Sequence, residues 1–269
     1  MKYSIDYCCI CDRGNIREKN QDNFVCGGAI LPAANHGTPE PLTGSLPSGE
    51  GPLFGVFDGM GGEQEGEKAA FLAAQAASEA KFGGDPVKDL RGLCLEANRR
   101  VCDYAESHRV SSMGTTAAMV RFMDEGVYAC NLGDSRIFRF HGGALRQISQ
   151  DHVLPAPKSK KPPLLQYLGI PETELLLEPG LSFQRPDPGD RYLICSDGLT
   201  DMLTPEEIAR CLEEPDVKAA AERLAREAMG AGGRDNLTVL LCGIRAEAAP
   251  PAEKKSFLGR WLERLRRGE

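Results

Sequence analysis

The run Leu53-Phe54-Gly55-Val56-Phe57 is apolar throughout and ends in Asp58-Gly59-Met60-Gly61-Gly62. Such a run fits a strand buried on both faces, and it delivers one carboxylate, Asp58, into a loop too glycine-rich to cover it. The glycines allow backbone angles and a close ligand approach that side chains forbid. Asp-Gly is also an ordinary strand-to-turn junction, so the stretch alone only suggests that an acid is being presented. Four further segments carry an aspartate beside glycine or a polar residue: Asn20-Gln21-Asp22, Leu132-Gly133-Asp134-Ser135-Arg136, Cys195-Ser196-Asp197-Gly198-Leu199-Thr200-Asp201 and Gly233-Arg234-Asp235-Asn236. Hard cations such as Mg²⁺ or Mn²⁺ take a few carboxylates and keep several waters. Loop-borne aspartates scattered along a chain are what a divalent-metal site looks like in sequence, although spacing does not show that they converge.

Composition bounds the partners. The chain has 269 residues, enough for one large domain, with 39 acidic against 32 basic residues and a formal charge of −7. No global basic field recruits nucleic acid. Six of the ten cysteines, Cys8, Cys9, Cys11, Cys130, Cys195 and Cys242, fall in apolar or strand-like runs where a thiol packs as a small hydrophobe. Cys8-Cys9-Ile10-Cys11 has no matched Cys-x-x-Cys pair, which argues against zinc. The first residues lack the pattern of a signal peptide, and no apolar run approaches a membrane span. A cytoplasmic protein with reduced thiols is the expectation.

Alternation over Tyr3, Ile5, Tyr7 and Cys9 predicts a half-buried strand, with a turn at Asp12-Arg13-Gly14-Asn15. Phe24–Cys26 resumes a strand whose hairpin partner is Leu53–Phe57. Between them, 27–52 reads as a proline-broken loop without apolar period, expected at the end of the hairpin away from Asp22 and Asp58 and therefore not catalytic. Glu65–Phe82 and Pro86–His108 read as helices, the second with Val87, Leu90, Cys94, Ala97, Val101 and Tyr104 on its apolar face and Asp85 as N-cap. Strands follow at Thr115–Met123, Val127–Asn131, Arg136–Phe140 and Leu145–Ile148, predicted as one antiparallel meander. A polar stretch, 151–163, carries Lys158, Lys160 and Lys161 and reads as a solvated loop. The strand Arg191–Cys195 precedes a capping box at Thr204-Pro205-Glu206-Glu207 that opens a helix. A helix from about Val217 to Gly230 and a final strand, Leu237–Ile244, complete the domain. The fold class is α+β, two antiparallel sheets packed as a sandwich between helices.

Domain organisation follows: a catalytic domain over 1–245, an Ala/Pro linker over 246–252 and a basic amphipathic tail over 253–269. In the tail, Phe257, Leu258, Trp261, Leu262 and Leu265 share one helical face and basic residues fill the other. That face suits an anionic membrane surface at the inner membrane, an acidic partner or the chain's own domain.

With its aspartate segments in this order, the chain resembles the type 2C protein phosphatases, the metal-dependent Ser/Thr phosphatases of the PPM class, over roughly 7–244. The matching segments are Arg17-Glu18-Lys19-Asn20-Gln21-Asp22, Phe57-Asp58-Gly59-Met60-Gly61-Gly62, Met113-Gly114-Thr115-Thr116, Gly133-Asp134-Ser135-Arg136, Gln150-Asp151-His152, Ser196-Asp197-Gly198-Leu199-Thr200-Asp201 and Arg234-Asp235-Asn236-Leu237-Thr238-Val239. Met after Asp-Gly is similar to the bacterial branch. The resemblance implies that Asp58 bridges two Mn²⁺ or Mg²⁺ ions, that Asp197 and Asp235 complete one site, and that the Gly59 carbonyl and Asp22 serve the other. It implies that Asp134 and Asp201 hold a third, weaker ion and that Arg17 binds the substrate phosphate. The implied reaction is hydrolysis of phosphoserine and phosphothreonine by attack of a metal-bridging water, with phosphoproteins made by a Ser/Thr kinase as substrates and a monomer as the working unit. Two cations lower a water's pKa toward neutrality and clamp the phosphoryl group, and an arginine fork matches phosphate oxygens as a lysine does not.

Two positions depart from the family pattern. Eukaryotic members carry a histidine where this chain has Met60, which is no general acid, and many bacterial members have a histidine where this chain has Glu63. The flap, which in bacterial members follows the Asp-His motif, looks shortened over 152–168. Two other readings stay open: a pseudophosphatase that binds phosphoprotein without turnover, and a two-metal phosphodiesterase, against which the acidic composition weighs.

Overall fold

A computed structural model describes residues 2–60, 65–155, 157 and 162–246. The expectations for Glu63, for Lys158, Lys160 and Lys161, and for the tail fall outside the described residues. The described chain forms two six-stranded antiparallel sheets with helices on both outer faces.

The first sheet contains β1 (Tyr3–Asp12), β3 (Leu42–Pro47), β8 (Arg136–His141), β9 (Ala144–Gln147), β11 (Arg191–Cys195) and β12 (Leu237–Ala246), in the order β3-β1-β12-β11-β8-β9. The second runs β10-β7-β6-β4-β2, from β2 (Asp22–Val25), β4 (Leu53–Met60), β6 (Ala117–Met123), β7 (Gly126–Leu132) and β10 (Gly180–Gln184), with the two-residue β5 (Gly114–Thr115) paired to β4. Helices α1 (Gly66–Glu79) and α2 (Pro86–His108) cover the second sheet; α4 (Pro205–Cys211) and α5 (Val217–Gly230) cover the first, beside the single turn α3 (Asp197–Thr200).

Three apolar layers hold this stack. Ile5, Cys9, Phe54, Val56, Phe122, Ile194, Leu240 and Cys242 meet between the sheets. Strand β4 is buried on both faces because Phe57 packs toward α1 and α2, on the opposite side from Val56. In β1 the same alternation sends Tyr3, Ile5, Cys9 and Cys11 inward and Cys8 toward α5. Nearly every sheet position is therefore a core position, and all ten thiols are free, with only Cys102 not fully buried. Among the described residues no helix is long and apolar enough to cross a membrane.

Several expectations need correction. The supposed loop over 27–52 contains β3, which pairs with β1 from Cys9↔Leu42 to Ser4↔Pro47. It also does not stay at the far end. Because β2 has only four residues the chain doubles back early, so that Thr38 N donates to Cys11 O at 2.8 Å and Asn20 Nδ2 to Asn35 Oδ1 at 2.8 Å, beside Asp22. The predicted meander is split: β6 and β7 lie in one sheet, β8 and β9 in the other, and Gly133-Asp134-Ser135 carries the chain across. Helix α1 stops at Glu79, since Ala80 is already extended. Val87, in the first turn of α2, is 42% exposed although Leu90, Cys94, Ala97 and Val101 behind it are buried.

Candidate active site

Strand register brings the aspartates to one edge of the sandwich. Asp22 opens β2 directly opposite Asp58 near the end of β4. In the other sheet Asp12 faces Leu237, Cys195 faces Val239 and Arg136 faces Cys195. Asp235 thus lies just before β12, Asp197 just after β11 and Asp134 just before β8, all at the same edge. Asp201 follows Asp197 by the single turn of α3, its N–H donating to Asp197 O at 2.8 Å.

Asp22 is 1% exposed, far below what a carboxylate without charged partners tolerates. Ser196 Oγ and Thr238 Oγ1 each donate to its Oδ2 at 2.7 Å, while Oδ1 is buried and accepts no hydrogen bond. Burial above all, with the charges of Asp197 and Asp235 behind it, pushes the Asp22 carboxyl up to about 7 against the two hydroxyl bonds. An orphaned buried oxygen beside other carboxylates is what a hard cation satisfies, so these residues fit a divalent metal.

Asp58 is placed by its backbone. Its N–H donates to Thr116 Oγ1 at 3.0 Å and its carbonyl accepts from Thr116 N at 2.9 Å; Thr116 Oγ1 then meets Ser135 Oγ at 2.6 Å. Thr116 and Ser135 are fully buried, so this hydroxyl pair ties the Asp58 strand to the loop carrying Asp134. Gly59 lies where no side chain fits: a Cβ there would stand 2.2 Å from Gly66 O and 2.6 Å from Gln21 O. Gly59 N instead donates to Gln21 O at 3.1 Å.

Asn236 knits the loops together. Its Oδ1 accepts from Gln21 N at 2.9 Å and its Nδ2 donates to Arg13 O and Lys19 O, both at 2.8 Å. Gly198 approaches the same turn so closely that a Cβ would sit 2.0 Å from Asn236 O. Arg17, half exposed, reaches back to Asp235 with Nη2 to Oδ2 at 2.6 Å. That hydrogen bond, with the charges of Asp58 and Asp197 behind it, holds the guanidinium more firmly protonated than usual. The fork stands next to the carboxylates rather than over open solvent.

The edge aspartates do not form a group of three with ligand atoms within 4.8 Å of one another; among the described residues the group that does is His141, Asp187 and Asp190, at the opposite end of β8 and β11. It is already neutralised: Arg139 Nη2 reaches Asp187 at 2.8 Å and Asp190 at 2.7 Å, and His141 Nδ1 meets Asp190 at 2.7 Å.

The family model for protein phosphatase 2C matches residues 46–241. The chain belongs to the protein phosphatase 2C family. Serine/threonine protein phosphatase PstP of Mycobacterium tuberculosis is 28% identical over 247 residues, which cover 87% of this chain and 44% of PstP, so the match spans less than half of that relative's length. Serine/threonine phosphatase stp of Listeria monocytogenes is 30% identical over 256 residues, covering 86% of this chain and 92% of the relative. The catalytic domain of PstP in complex with two manganese ions superposes with a TM-score of 0.74 at 28% identity, over 91% of this chain and all of that one. This protein phosphatase 2C chain is thus like bacterial members over nearly its whole described length.

In the sequence, Thr116, Ser135, Ser196, Asn236 and Thr238 fall within the matching segments without being given a role, and Glu67, whose carboxylate takes Gln21 Nε2 at 3.1 Å and Lys19 Nζ at 2.7 Å, is not singled out. A signal existed for some of them. Ser196 and Asn236 each flank an aspartate, and polar residues at the ends of apolar strands have no core to enter. Nothing local marked Glu67.

Proposed function

We propose that this phosphatase 2C chain is a metal-dependent protein serine/threonine phosphatase working at the aspartate edge. The observation that carries the reading is Asp22 Oδ1, a buried carboxylate oxygen left without a hydrogen bond beside Asp197 and Asp235. Asp58, Asp197 and Asp235 would hold one ion, Asp58, the Gly59 carbonyl and Asp22 a second, and Asp134 and Asp201 a third, weaker one. Bound there, divalent cations supply a nucleophile near neutral pH and neutralise charge on the phosphoryl group.

The chain's own residues supply position. Ser196 and Thr238 orient Asp22 through one oxygen and leave the other for the ion. Thr116 fixes the backbone of Asp58 from both sides. Arg17 presents a planar set of donors, and the bond to Asp235 holds its fork at the carboxylates where a substrate phosphate would arrive. Phosphoproteins made by a Ser/Thr kinase are the substrates in this reading, and a monomer suffices because every named residue comes from one chain. Met60 offers no proton, so the side chain at that position would not protonate the leaving group.

Phosphate release from a phosphothreonine peptide and alcohol release from a bis-ester, each with Mn²⁺, Mg²⁺ or EDTA, test this. The expected result is metal-dependent release from the peptide, abolished by chelation, with the bis-ester poorly turned over. Peptide binding without release would move the protein to the phosphoprotein-binding class, and preference for the bis-ester to the phosphodiesterases.

A further inference from the structure

We infer that Glu67 is a positioning residue for the metal site, one that sets the Gly59 carbonyl and Asp22 in place by holding Gln21 and Lys19. The inference rests on the proposed reading, in which Gly59 and Asp22 face the ions.

The start of α1, the end of β4 and the Gln21 backbone touch without side chains between them. A Cβ on Gly66 would stand 2.7 Å from Gln21 Nε2 and 3.0 Å from Met60 N, and one on Gly59 would strike Gly66 O and Gln21 O. The ladder pairing of Gly59 with Thr115 holds one side of this contact, and on the side of Gln21 and α1, where no apolar side chains interlock, polar bonds set the spacing. Three of them run in series. Gly59 N donates to Gln21 O at 3.1 Å, Gln21 Nε2 donates to Glu67 Oε2 at 3.1 Å, and Lys19 Nζ reaches Glu67 Oε1 at 2.7 Å. Gln21 N in turn donates to Asn236 Oδ1, next to Asp235. Gln21 directly precedes Asp22, so the carboxylate of Glu67 acts on both strand ends that face each other across the site.

Glu67 is the better shielded partner, its side chain 16% exposed against 65% for Lys19. Both of its oxygens are used, one by an ammonium and one by an amide. Helix α1 does not need Glu67 to dock, because Ala69, Ala70, Ala73, Ala74 and Ala77 bury its inner face. Loss of the carboxylate should therefore loosen the Gln21–Gly59 contact and leave the fold standing. Residues that orient metal ligands from behind typically change metal affinity by about 10-fold to 100-fold when removed.

Mn²⁺ titration calorimetry on the full chain, metal-free melting temperature, and phosphate release against Mn²⁺ concentration test this on wild type, Glu67→Ala, Glu67→Gln and Lys19→Met. Glu67→Ala is expected to weaken Mn²⁺ binding roughly tenfold or more, with release recovering as Mn²⁺ is raised and the metal-free melting temperature little changed. Glu67→Gln should fall between, since its amide oxygen still accepts from Gln21 Nε2, and Lys19→Met should weaken binding least. Wild-type Mn²⁺ affinity in Glu67→Ala overturns the inference, as does a lowered melting temperature with unchanged affinity, which is the mark of a structural role. If Glu67→Ala does not fold, Glu67→Gln decides by the same readouts. Wild type that takes up no Mn²⁺ removes the underlying reading, and this inference with it, before any variant is compared.

Discussion

At the aspartate edge hydroxyl groups hold Asp22 and the backbone of Asp58, and a guanidinium meets Asp235. Ser196 and Thr238 occupy one oxygen of Asp22 and leave the other facing the site, an arrangement that costs free energy without a cation and is relieved by one. Thr116 does the equivalent work for Asp58 through the backbone. Thr116→Val removes the acceptor of Asp58 N and leaves Ser135 Oγ without its partner in a buried place. Leaving buried polar groups unsatisfied costs about 1–3 kcal/mol. Denaturant unfolding should show a loss of that size, and Mn²⁺ affinity should fall with it. These supporting residues were hard to see in advance because each is unremarkable in its own segment and meaningful only across sheets. The aspartates were visible as an ordered set of segments, since a single Asp-Gly after an apolar run is an ordinary strand-to-turn junction.

Elements were legible in proportion to how much of their logic is local. Helix α2 spans Pro86–His108 as expected because both ends carry their own signals: the Asp85 side chain accepts from Val87 N and Lys88 N, and Arg109 ends the helix in a left-handed conformation. Asp85→Ala should cost about 1 kcal/mol of stability, read by thermal or denaturant unfolding, and leave activity per folded molecule unchanged. The capping box at Thr204 and Glu207 was legible for the same reason. Strand β3 was not, since Thr43-Gly44-Ser45 is exposed at a sheet edge and carries no apolar period. Nor was the split of β6–β9 between two sheets: a period of two says that a strand has two faces, not which sheet it joins. The single turn α3 is too short for any period.

At the scale of the whole molecule, the sandwich is a device for bringing strand ends from distant parts of the sequence to one edge, from Asp22 to Asp235. The edge gathers aspartates from both sheets, with Arg17 bonded to Asp235, so a ligand of opposite charge should stabilise the native state. At Mn²⁺ about 100 times its dissociation constant the gain is roughly 2.7 kcal/mol, a rise in melting temperature of roughly 5–10 °C for a domain of this size, absent with EDTA. The proposed dependence of phosphate release on ions held by these aspartates is open to a single comparison. It is tested most directly by phosphate release from a phosphothreonine peptide across a Mn²⁺ titration, for wild type beside Asp58→Asn, both shown to be folded. Release that rises with Mn²⁺ in wild type and is nearly absent from Asp58→Asn at every concentration is the predicted result. Equal release from both proteins, or release from wild type that survives chelation, would contradict it.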